Sequence, residues 1–563
     1  MSSTRRRLRF GGALWLACVV ATAVHGAARS PSYGARGMVV ASEASAARAG
    51  LAMFARGGNA VDAAIATAFA LGVTQPFSAG VGGGAFALIR RPDGTIVALD
   101  ARETAPAAAT RDMYVEKGVP ERASVHGPLA IATPGFVAGC ALALERWGTK
   151  PLAEVLAPAI ALAEEGVPIG LYHATMLERL RRRGLGKGFE ETVRIQFPPK
   201  GVEAKPGWRL VQPDLAATLR RIAAEGPDAF YRGEIARALV QEVQKRGGLL
   251  TLEDLDGYEP RVRKPVSGEY RGYAVHSFPP PSSGGVALIE ALNILEGFDL
   301  GELGAGSSTS VHRIAEAMKL AFADRAAWLG DPDFVDVPTG ELVSKRYAEQ
   351  LRTRIGERAA SVAGPGLLPD DAGTTHLSTS DAKGGAVALT MTINTPFGSG
   401  ISVPGTGVVM NNEMDDFSVA LDTPNAYGLV DTRGANAIAP GKRPLSSMTP
   451  TIVERGGRLF MVTGSPGGPR IISTTLLTVL HVIDYGMDVS EAVSAPRFHH
   501  QWQPDRLAVE DEVPRDVVEA LRARGHEVSV ESDWSAAEAI VLDPDGAHWG
   551  GTDPRRDGAA LGY

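Results

Sequence analysis

Polar and apolar residues alternate between Ala386 and Asn394, in the stretch AVALTMTIN. Successive side chains of a β-strand point to opposite faces, so this pattern predicts a strand with one apolar face. The apolar face holds Val387, Leu389, Met391 and Ile393, and the opposite face ends in Thr390, Thr392 and Asn394. A polar end on a buried strand indicates a cleft, but threonine is also a good strand former. The pattern alone leaves both interpretations open.

Two helices are predicted between residues 42 and 73, where apolar residues recur at helical spacing. Gly57 and Gly58 are suited to end the first helix, and Asn59 is suited to cap the start of the second.

Helical patterns dominate the first part of the chain, and strand patterns dominate the part after Thr374. The other predicted elements are a hairpin over 84–103, a mainly helical region over 150–355 with a periodic segment at 311–330, a loop-like stretch over 361–373, a strand over 383–395, a hairpin over 451–464, a helix over 470–486 and a closing hairpin over 539–551. Strands occur in both parts and no long linker separates them. The sequence therefore favours an α+β fold in which helices cover sheets around one core.

The N-terminus has the pattern of a secretory signal peptide. Four arginines among residues 5–9 precede an apolar stretch at 11–24, and small residues follow at 26–28. The apolar stretch is shorter than the roughly 20 residues that a membrane-spanning helix needs. We therefore assign residues 1–28 to a signal peptide, and expect a periplasmic or secreted protein without a membrane anchor.

The amino-acid composition further limits the classes of protein to which the chain can belong. The 563 residues are 44% hydrophobic and 21% charged, with a formal net charge of −7, which argues against general binding to nucleic acid. Only Cys18 and Cys140 are present, and removal of the signal peptide leaves one, so no internal disulfide is expected. Cys140 lies in an apolar helical stretch and is predicted to be a buried small hydrophobe.

No metal or nucleotide site is predicted. His499 and His500, with Asp505, lack the spacing of a zinc site. The glycine-rich run at 80–86 follows a helix and precedes a strand, which is the reverse of a dinucleotide-binding fingerprint.

Gly373 and Thr374 stand where the strand-rich part begins. A threonine hydroxyl is a weak nucleophile unless a base lies beside it, and a threonine at a new N-terminus can use its own α-amine. That amine titrates near 7.7–8.0 in model peptides, so a large fraction is neutral at physiological pH. Glycine also tolerates the backbone geometry needed for attack on the preceding carbonyl. An ordinary loop-to-strand junction would explain the same residues.

The stretch TGSPGGPR, residues 463–470, is a second candidate. It departs from a serine-hydrolase elbow, because Thr463 replaces the first glycine and Pro466 offers no N–H. The amides of Gly467 and Gly468 could instead form an oxyanion hole, and a tight turn is the alternative.

Charged and hydroxyl residues supply further candidates. Glu413 and Asp416 could hold an ammonium group or could form an exposed turn. Ser446 and Ser447 could donate hydrogen bonds to a carboxylate, which Arg102 could also pair with.

Together these segments resemble the γ-glutamyltransferase family (γ-glutamyltranspeptidases), which are N-terminal-nucleophile hydrolases. The resemblance extends from about residue 37 to residue 563. It rests on GGNAVDAAIATAFALGVTQP, LDARETAP, GTTHLSTSD, TINTPFGSG, NNEMDDFS, KRPLSSMTPTIV, TGSPGGPRII and DPRRDGAALGY. It implies a four-layer αββα sandwich and self-cleavage between Gly373 and Thr374. Residues 29–373 would form a large subunit and residues 374–563 a small one, held together as a heterodimer.

The resemblance also implies a role for each candidate residue and no cofactor. Thr374 would be the nucleophile, and Thr392 would orient it. The oxyanion would be stabilised by Gly467 and Gly468, the glutamyl α-carboxylate held by Arg102, Ser446 and Ser447, and the α-amine held by Asn394, Glu413 and Asp416. The substrates would be small γ-glutamyl compounds such as glutathione, with water, an amino acid or a dipeptide as acceptor.

The stretch at 420–444 resembles the lid of the family, with Tyr427 at the tip that shields the nucleophile. One rival is a glutaryl or cephalosporin acylase of the same family, which need not keep an ammonium clamp; Asn394, Glu413 and Asp416 favour γ-glutamyl. A second rival is an exported binding protein that never matures. The intact Gly373-Thr374 junction and the complete clamp count against it.

Overall fold

The computed structural model describes residues 29–182, 188–360, 373–532 and 534–563. The predicted signal peptide and all but Gly373 of the loop-like stretch at 361–373 lie outside these residues. Within the described ranges, no helix is both long enough and apolar enough to cross a membrane.

Two seven-stranded sheets form the centre of the molecule. The strands are β1 (Ser32–Gly34), β2 (Gly37–Ala41), β3 (Gly84–Arg90), β4 (Ile96–Ala101), β5 (Val167–Pro168), β6 (Arg209–Leu210), β7 (Arg261–Arg263), β8 (Val266–Tyr270), β9 (Tyr273–Ser277), β10 (Thr374–Asp381), β11 (Ala386–Thr392), β12 (Ser402–Val403), β13 (Val408–Val409), β14 (Thr451–Arg455), β15 (Arg458–Gly464), β16 (Phe498–His499), β17 (Leu507–Glu510), β18 (Val528–Glu531), β19 (Glu538–Leu542), β20 (His548–Thr552) and β21 (Ala559–Gly562). The first sheet has the order β1-β20-β19-β15-β14-β9-β8, and the second has the order β21-β2-β10-β11-β3-β4-β7.

Helices lie outside the sheets. They are α1 (Ala44–Ala55), α2 (Ala60–Thr74), α3 (Phe136–Trp147), α4 (Leu152–Glu165), α5 (Leu171–Arg182), α6 (Glu190–Gln196), α7 (Pro213–Glu225), α8 (Asp228–Tyr231), α9 (Glu234–Lys245), α10 (Leu252–Asp256), α11 (Gly284–Leu295), α12 (Leu300–Leu303), α13 (Ser308–Trp328), α14 (Thr339–Leu342), α15 (Lys345–Arg352), α16 (Arg470–Ile483), α17 (Val489–Ser494) and α18 (Arg515–Ala523). Two short 3₁₀ helices span Pro128–Ala130 and Glu413–Asp416.

Three hydrophobic layers separate the sheets and helices. Residues such as Phe86 and Phe278, whose rings stack 4.0 Å apart, fill the space between the two sheets. The helices α1, α2 and α3 pack on the outer face of the second sheet, and α11, α16 and α17 pack on the outer face of the first. The predicted α+β fold, a four-layer αββα sandwich, is confirmed.

The first helix pair begins and ends as the sequence predicts. Gly57, with φ of 77°, follows α1, and the amide of Gly58 donates to the Met53 carbonyl to close the helix end. Asn59 caps α2 in a reciprocal box with Asp62.

The strand at 386–394 also alternates as predicted. Val387, Leu389 and Met391 pack against the helices outside the second sheet. Thr390 faces the space between the sheets, where its Oγ1 lies 2.8 Å from His376 Nδ1. The polar residues therefore lie in the interior, between two layers that otherwise bury apolar side chains.

The region over 150–355 contains more strand than the sequence predicted. Strands β7, β8 and β9 lie within it, and β8 and β9 complete an edge of the first sheet. Each has at most five residues, most of them exposed or partly exposed, so their alternation is too short to stand out among helices. Cys140 is buried in α3, as predicted.

Candidate active site

Two threonine hydroxyls meet at one end of the second sheet, where β10 begins and β11 ends. Thr374 pairs with Thr392 in antiparallel register, and their Oγ1 atoms lie 3.1 Å apart. Directly opposed residues in antiparallel strands carry their side chains on the same face, so the register brings the two hydroxyls together.

The hydrogen bonds of Thr392 establish which hydroxyl donates. Thr392 Oγ1 donates to the carbonyl oxygen of Gly373 at 2.9 Å, because a carbonyl can only accept. This uses its single proton, so Thr374 Oγ1 is the donor in the 3.1 Å contact. The amide of Asn394 also donates to Thr392 Oγ1, at 2.8 Å. Thr392 therefore contacts both the carbonyl and the hydroxyl of the Gly373-Thr374 junction.

Gly373 lies against the backbone of the neighbouring strand end. A Cβ at this position would lie 2.5 Å from the carbonyl carbon of Thr395. The Gly373 amide donates to the carbonyl oxygen of Asn394 at 2.9 Å. The close approach of the two backbones excludes a side chain here without a shift of the strand end.

Arg102 follows β4 and reaches two acids of the 3₁₀ helix. Its guanidinium pairs with the Glu413 carboxylate and with Asp416 Oδ2, the latter at 2.5 Å, while its Nε donates to the Pro444 carbonyl at 3.1 Å. A zwitterionic amino-acid head group could take over both sides of this pair. Its carboxylate would replace the acids on Arg102, and its ammonium would replace Arg102 on the acids.

Burial dominates the electrostatics of these groups. It raises the pKa of the Glu413 and Asp416 carboxyls, although Arg102 opposes the shift in both. It also raises the pKa of neighbouring Glu103 to about 8, again against Arg102, whose Nη1 lies 3.6 Å from Glu103 Oε2. The Glu103 carboxyl, which lies beside the Arg102 guanidinium, is thus mostly protonated at pH 7.

Asn394 and Tyr427 connect the strand end to the loop above it. Asn394 adopts a left-handed conformation, with φ of 75°, and its Nδ2 donates to the Asn412 carbonyl at 2.9 Å. The Tyr427 hydroxyl donates to the carbonyl oxygen of Asn394 at 2.7 Å, and Tyr427 is only 4% exposed. Tyr427 therefore bonds to the end of the strand that carries Thr392 and lines the same cavity as the threonine pair.

Ser446 and Ser447 form a turn on another side of the same space. Ser446 Oγ accepts the amide of Met448 at 3.1 Å. No acceptor for the amide or the hydroxyl of Ser447 occurs among the described residues, so both donors of Ser447 are available.

Gly467 and Gly468 precede α16 and have φ of 126° and 56°. A Cβ on Gly467 would lie 2.5 Å from the Ser535 Cβ, and one on Gly468 would lie 2.9 Å from the Tyr427 ring. Only glycine combines these backbone angles with such close neighbours. In the described part of the chain, neither amide has a hydrogen-bond acceptor.

One small cavity brings most of the predicted residues together. It is lined by Arg102, Thr374, Thr392, Asn394, Glu413, Asp416, Tyr427, Leu429, Ser446, Ser447, Met448, Gly468 and Ile471. Of the predicted catalytic and binding residues, Gly467 alone does not line it. The threonine hydroxyls, a cation, two acids and unpaired donors thus line one small cavity, and their charges match those of an amino-acid head group.

Sequence reasoning missed Glu103 and Asp415. Glu103 is fully buried, and among the described residues neither of its carboxylate oxygens has a hydrogen-bond partner. Asp415 accepts from Ser124 Oγ at 2.8 Å and from the Ala426 amide at 3.0 Å, and burial raises its pKa to about 6. Each stands beside a predicted residue, and that adjacency is the signal that could have indicated them.

His499 and His500, for which the sequence predicts no zinc site, both have hydrogen-bond or ion-pair partners. His499 contacts Ser473 Oγ and Gln501 Oε1, and His500 pairs with Asp505 at 3.2 Å. A separate buried cluster, His312, Glu316 and His526, has its ligand atoms within 4.8 Å of one another. Lys319 lies 2.9 Å from the Glu316 carboxylate and already supplies that carboxylate with a cation.

Comparisons with known proteins give a family and several similar proteins. Residues 46–563 match the model of the family described as gamma-glutamyltranspeptidase. The chain is 47% identical over 536 residues to a glutathione hydrolase proenzyme of Escherichia coli (strain K12), with 94% of this chain and 92% of that protein covered. It is 42% identical over 550 residues to an acylase ACY 1 proenzyme of Pseudomonas sp. (strain V22), with coverage of 95% and 94%. A solved cephalosporin acylase from Bacillus halodurans superposes with a TM-score of 0.85 at 34% identity, over 96% of this chain and 98% of that one.

Proposed function

Because the chain belongs to the γ-glutamyltranspeptidase family, we propose that it is a γ-glutamyltransferase and glutathione hydrolase whose precursor cuts itself before Thr374. The observation that supports this best is the single cavity in which Thr374 and Thr392 face Arg102, Glu413 and Asp416.

The first reaction is cleavage of the chain. Thr374 Oγ1 attacks the Gly373 carbonyl carbon, the Gly373–Thr374 C–N bond breaks, and the released nitrogen takes a proton to become an amine. Water then hydrolyses the Gly373 ester, which leaves a carboxylate on Gly373 and a free hydroxyl on Thr374. Thr392 already donates to the carbonyl oxygen that becomes negative in this step, so it is suited to stabilise that charge.

The second reaction is turnover of a γ-glutamyl amide. The freed α-amine of Thr374 takes the proton of its own hydroxyl, and Oγ1 attacks the γ-carbonyl carbon. The leaving amine takes that proton, and a γ-glutamyl ester remains on Thr374. Water or the amine of an amino acid or dipeptide then attacks this ester and restores the hydroxyl.

The remaining residues bind the substrate and its developing charge. Gly467 and Gly468 offer amides to the oxyanion, and Tyr427 covers the nucleophile. The α-carboxylate of the donor pairs with Arg102, Ser446 and Ser447, and its ammonium pairs with Asn394, Glu413 and Asp416.

The proposal also includes how the precursor is processed and where in or outside the cell the protein is located. Residues 1–28 direct export to the periplasm or the medium and are removed. Residues 29–373 and 374–563 remain together as a heterodimer, and the substrates are small γ-glutamyl compounds such as glutathione.

Mass spectrometry and a denaturing gel test the maturation. We expect two fragments, with Thr374 at the N-terminus of the smaller one, and we expect the Thr374→Ala variant to stay uncut and inactive. A single band near 59 kDa from the purified wild type, or cleavage of Thr374→Ala, would reject self-cleavage at this bond.

Substrate comparison tests the acyl group. An acylase of the same family is the rival, and the acylase relative at 42% identity gives it weight. The acid pair beside Arg102 favours a donor that carries an ammonium, so γ-glutamyl anilide should react faster than glutaryl anilide. A preference for glutaryl anilide would favour the rival.

A further inference from the structure

A second buried arginine lies behind the Ser446-Ser447 turn. Arg325 is near the C-terminal end of α13 and is 4% exposed. Its Nε donates to Ser283 Oγ at 3.1 Å. Arg325 is not among the residues that line the cavity, so any effect on substrate must pass through its neighbours.

Ser283 links Arg325 to the Ser446-Ser447 turn by hydrogen bonds. Because Ser283 Oγ has one proton and accepts from Arg325, it donates that proton to the carbonyl oxygen of Ser446, at 2.7 Å. The Ser283 amide donates to the same carbonyl oxygen at 2.8 Å. Two donors, one of them polarised by a guanidinium, therefore fix the direction of the Ser446 carbonyl.

The direction of that carbonyl sets the direction of the next amide. In a trans peptide unit the C=O and N–H groups point to opposite sides. With the Ser446 carbonyl held toward Ser283, the Ser447 N–H points away from Ser283, and both Ser446 and Ser447 line the cavity. The arrangement presents the amide and hydroxyl of Ser447 as a pair of donors.

The two backbones approach too closely for the turn to shift easily. A Cβ on Gly284, the residue after Ser283, would lie 2.1 Å from Thr449 Oγ1 and 3.0 Å from the Ser447 carbonyl oxygen. Ser282 Oγ also donates to the Met448 carbonyl, at 2.6 Å.

Charge supports the same arrangement. Burial lowers the pKa of Arg325 to about 10, against the attraction of Asp416 and Asp431, so the guanidinium remains a cation at neutral pH. Two buried arginines, Arg102 and Arg325, therefore favour the charged form of Asp416 and oppose the rise of its pKa on burial.

We propose that Arg325 is a positioning residue that acts through Ser283 to hold the Ser446-Ser447 peptide in the orientation that binds the α-carboxylate of the donor. The inference rests on the proposed function, because it assumes a donor with that carboxylate.

Steady-state kinetics of Ser283→Ala, Arg325→Met and Arg325→Lys test the proposal. Loss of one charge-assisted hydrogen bond should raise the KM for γ-glutamyl anilide and the inhibition constant of free glutamate about tenfold in Ser283→Ala and Arg325→Met. The kcat should stay within about twofold, because uniform binding is lost rather than transition-state binding. Arg325→Lys keeps the charge and should recover part of the affinity.

Three further measurements separate positioning from general damage. Self-cleavage at Gly373 does not use the carboxylate clamp, so its rate should match that of the wild type. The double variant Ser283→Ala/Arg325→Met should be no weaker than the weaker single variant, because both changes break one chain of contacts. Arg313→Lys, on the same helix but bonded to the Gly356 carbonyl, is the matched control and should behave as wild type.

The outcomes are distinct. Unchanged KM and inhibition constants would overturn the proposal, and so would a fall in kcat accompanied by slowed cleavage, or additive effects in the double variant. If Arg325→Met fails to fold, the KM and the inhibition constant of Ser283→Ala alone test the proposal. A wild-type enzyme without γ-glutamyl turnover would instead reject the proposed function.

Discussion

Thr392 contacts both the hydroxyl and the carbonyl oxygen that would react in chain cleavage. Its hydroxyl donates to the Gly373 carbonyl and accepts from Thr374, so one side chain polarises the carbonyl and orients the nucleophile. The sequence indicated the second role through the resemblance. The first became visible only when the hydrogen bonds could be assigned in the uncut chain.

We therefore expect Thr392→Ala to slow precursor cleavage by about 10²-fold or more, the usual effect of removing an oxyanion donor. A gel time course of freshly purified precursor measures this. Thr392→Ser keeps the hydroxyl and is the control. Equal cleavage rates for alanine and serine would show that the Thr392 hydroxyl does not act on the Gly373 carbonyl.

Glu103 predicts a pH dependence of substrate binding. Its pKa is raised to about 8 by burial, against Arg102, with Asp416 and Asp100 adding to the shift. As pH rises through 8, the ionised carboxylate competes with the substrate carboxylate for Arg102. The KM for γ-glutamyl anilide should then rise in the wild type relative to Glu103→Gln.

The free energy of unfolding should also depend on pH through the ionisation of Glu103. The folded-state pKa lies above the ordinary value of 4.5, so the protonated form is the one that the fold favours. Its contribution is complete below pH 4.5 and is lost as pH rises toward 8. The Tm of the wild type should fall relative to that of Glu103→Gln between pH 5 and 9, and parallel Tm curves would contradict the assignment.

Among the elements, strand β11 was predicted from its pattern of residues. Its alternation of apolar and polar residues corresponds to a physical partition, since one face packs on helices and the other lies between the sheets. The strands β8 and β9 could not be predicted in the same way. β8 is the edge strand of the first sheet and pairs with β9, which pairs on its other side with β14, a strand distant in sequence. Most residues of β8 and β9 are exposed or partly exposed, which weakens the alternation.

The contacts between side chains were less predictable than the elements. The sequence assigned Arg102 to a carboxylate and the acids to an ammonium, but their mutual pairing depends on how β4 and the 3₁₀ helix meet. Burial of Glu103 depends on packing against Gly84, where a Cβ would lie 2.3 Å from its carboxylate. Neither contact is encoded in local spacing.

The loop over 420–444 is held by many polar contacts, and one of them, from the Tyr427 hydroxyl to the Asn394 carbonyl, joins two residues that line the cavity with Thr374. Tyr427→Ala should uncover Thr374 and raise the proportion of hydrolysis over transfer, because water then reaches the γ-glutamyl ester more easily. Tyr427→Phe keeps the ring over Gly468 and should change this ratio little. Product analysis with and without an acceptor dipeptide measures the ratio; an unchanged ratio in Tyr427→Ala would reject the lid role.

Neither proposed fragment contains a complete seven-stranded sheet. In the second sheet, β2 from the large fragment lies between β21 and β10 from the small one, and β11 pairs with β3. In the first sheet, β14 from the small fragment pairs with β9 from the large one. Cleavage before Thr374 thus removes one peptide bond but no strand pairing.

The mature protein should consequently behave as one folding unit. We expect the two fragments to elute together in gel filtration and to unfold in a single denaturant transition. The uncut Thr374→Ala precursor is the reference, and it should unfold in one transition as well. Separation of the fragments under native conditions, or two transitions in the mature protein alone, would contradict the shared core.

The position of the junction at a strand pairing gives maturation a built-in quality control. The hydroxyl of Thr392 reaches the Gly373 carbonyl only when β10 and β11 are in register. A misfolded or half-assembled chain would lack this contact and would remain an inert precursor. Activity would then depend on correct folding itself, without a separate activating protease.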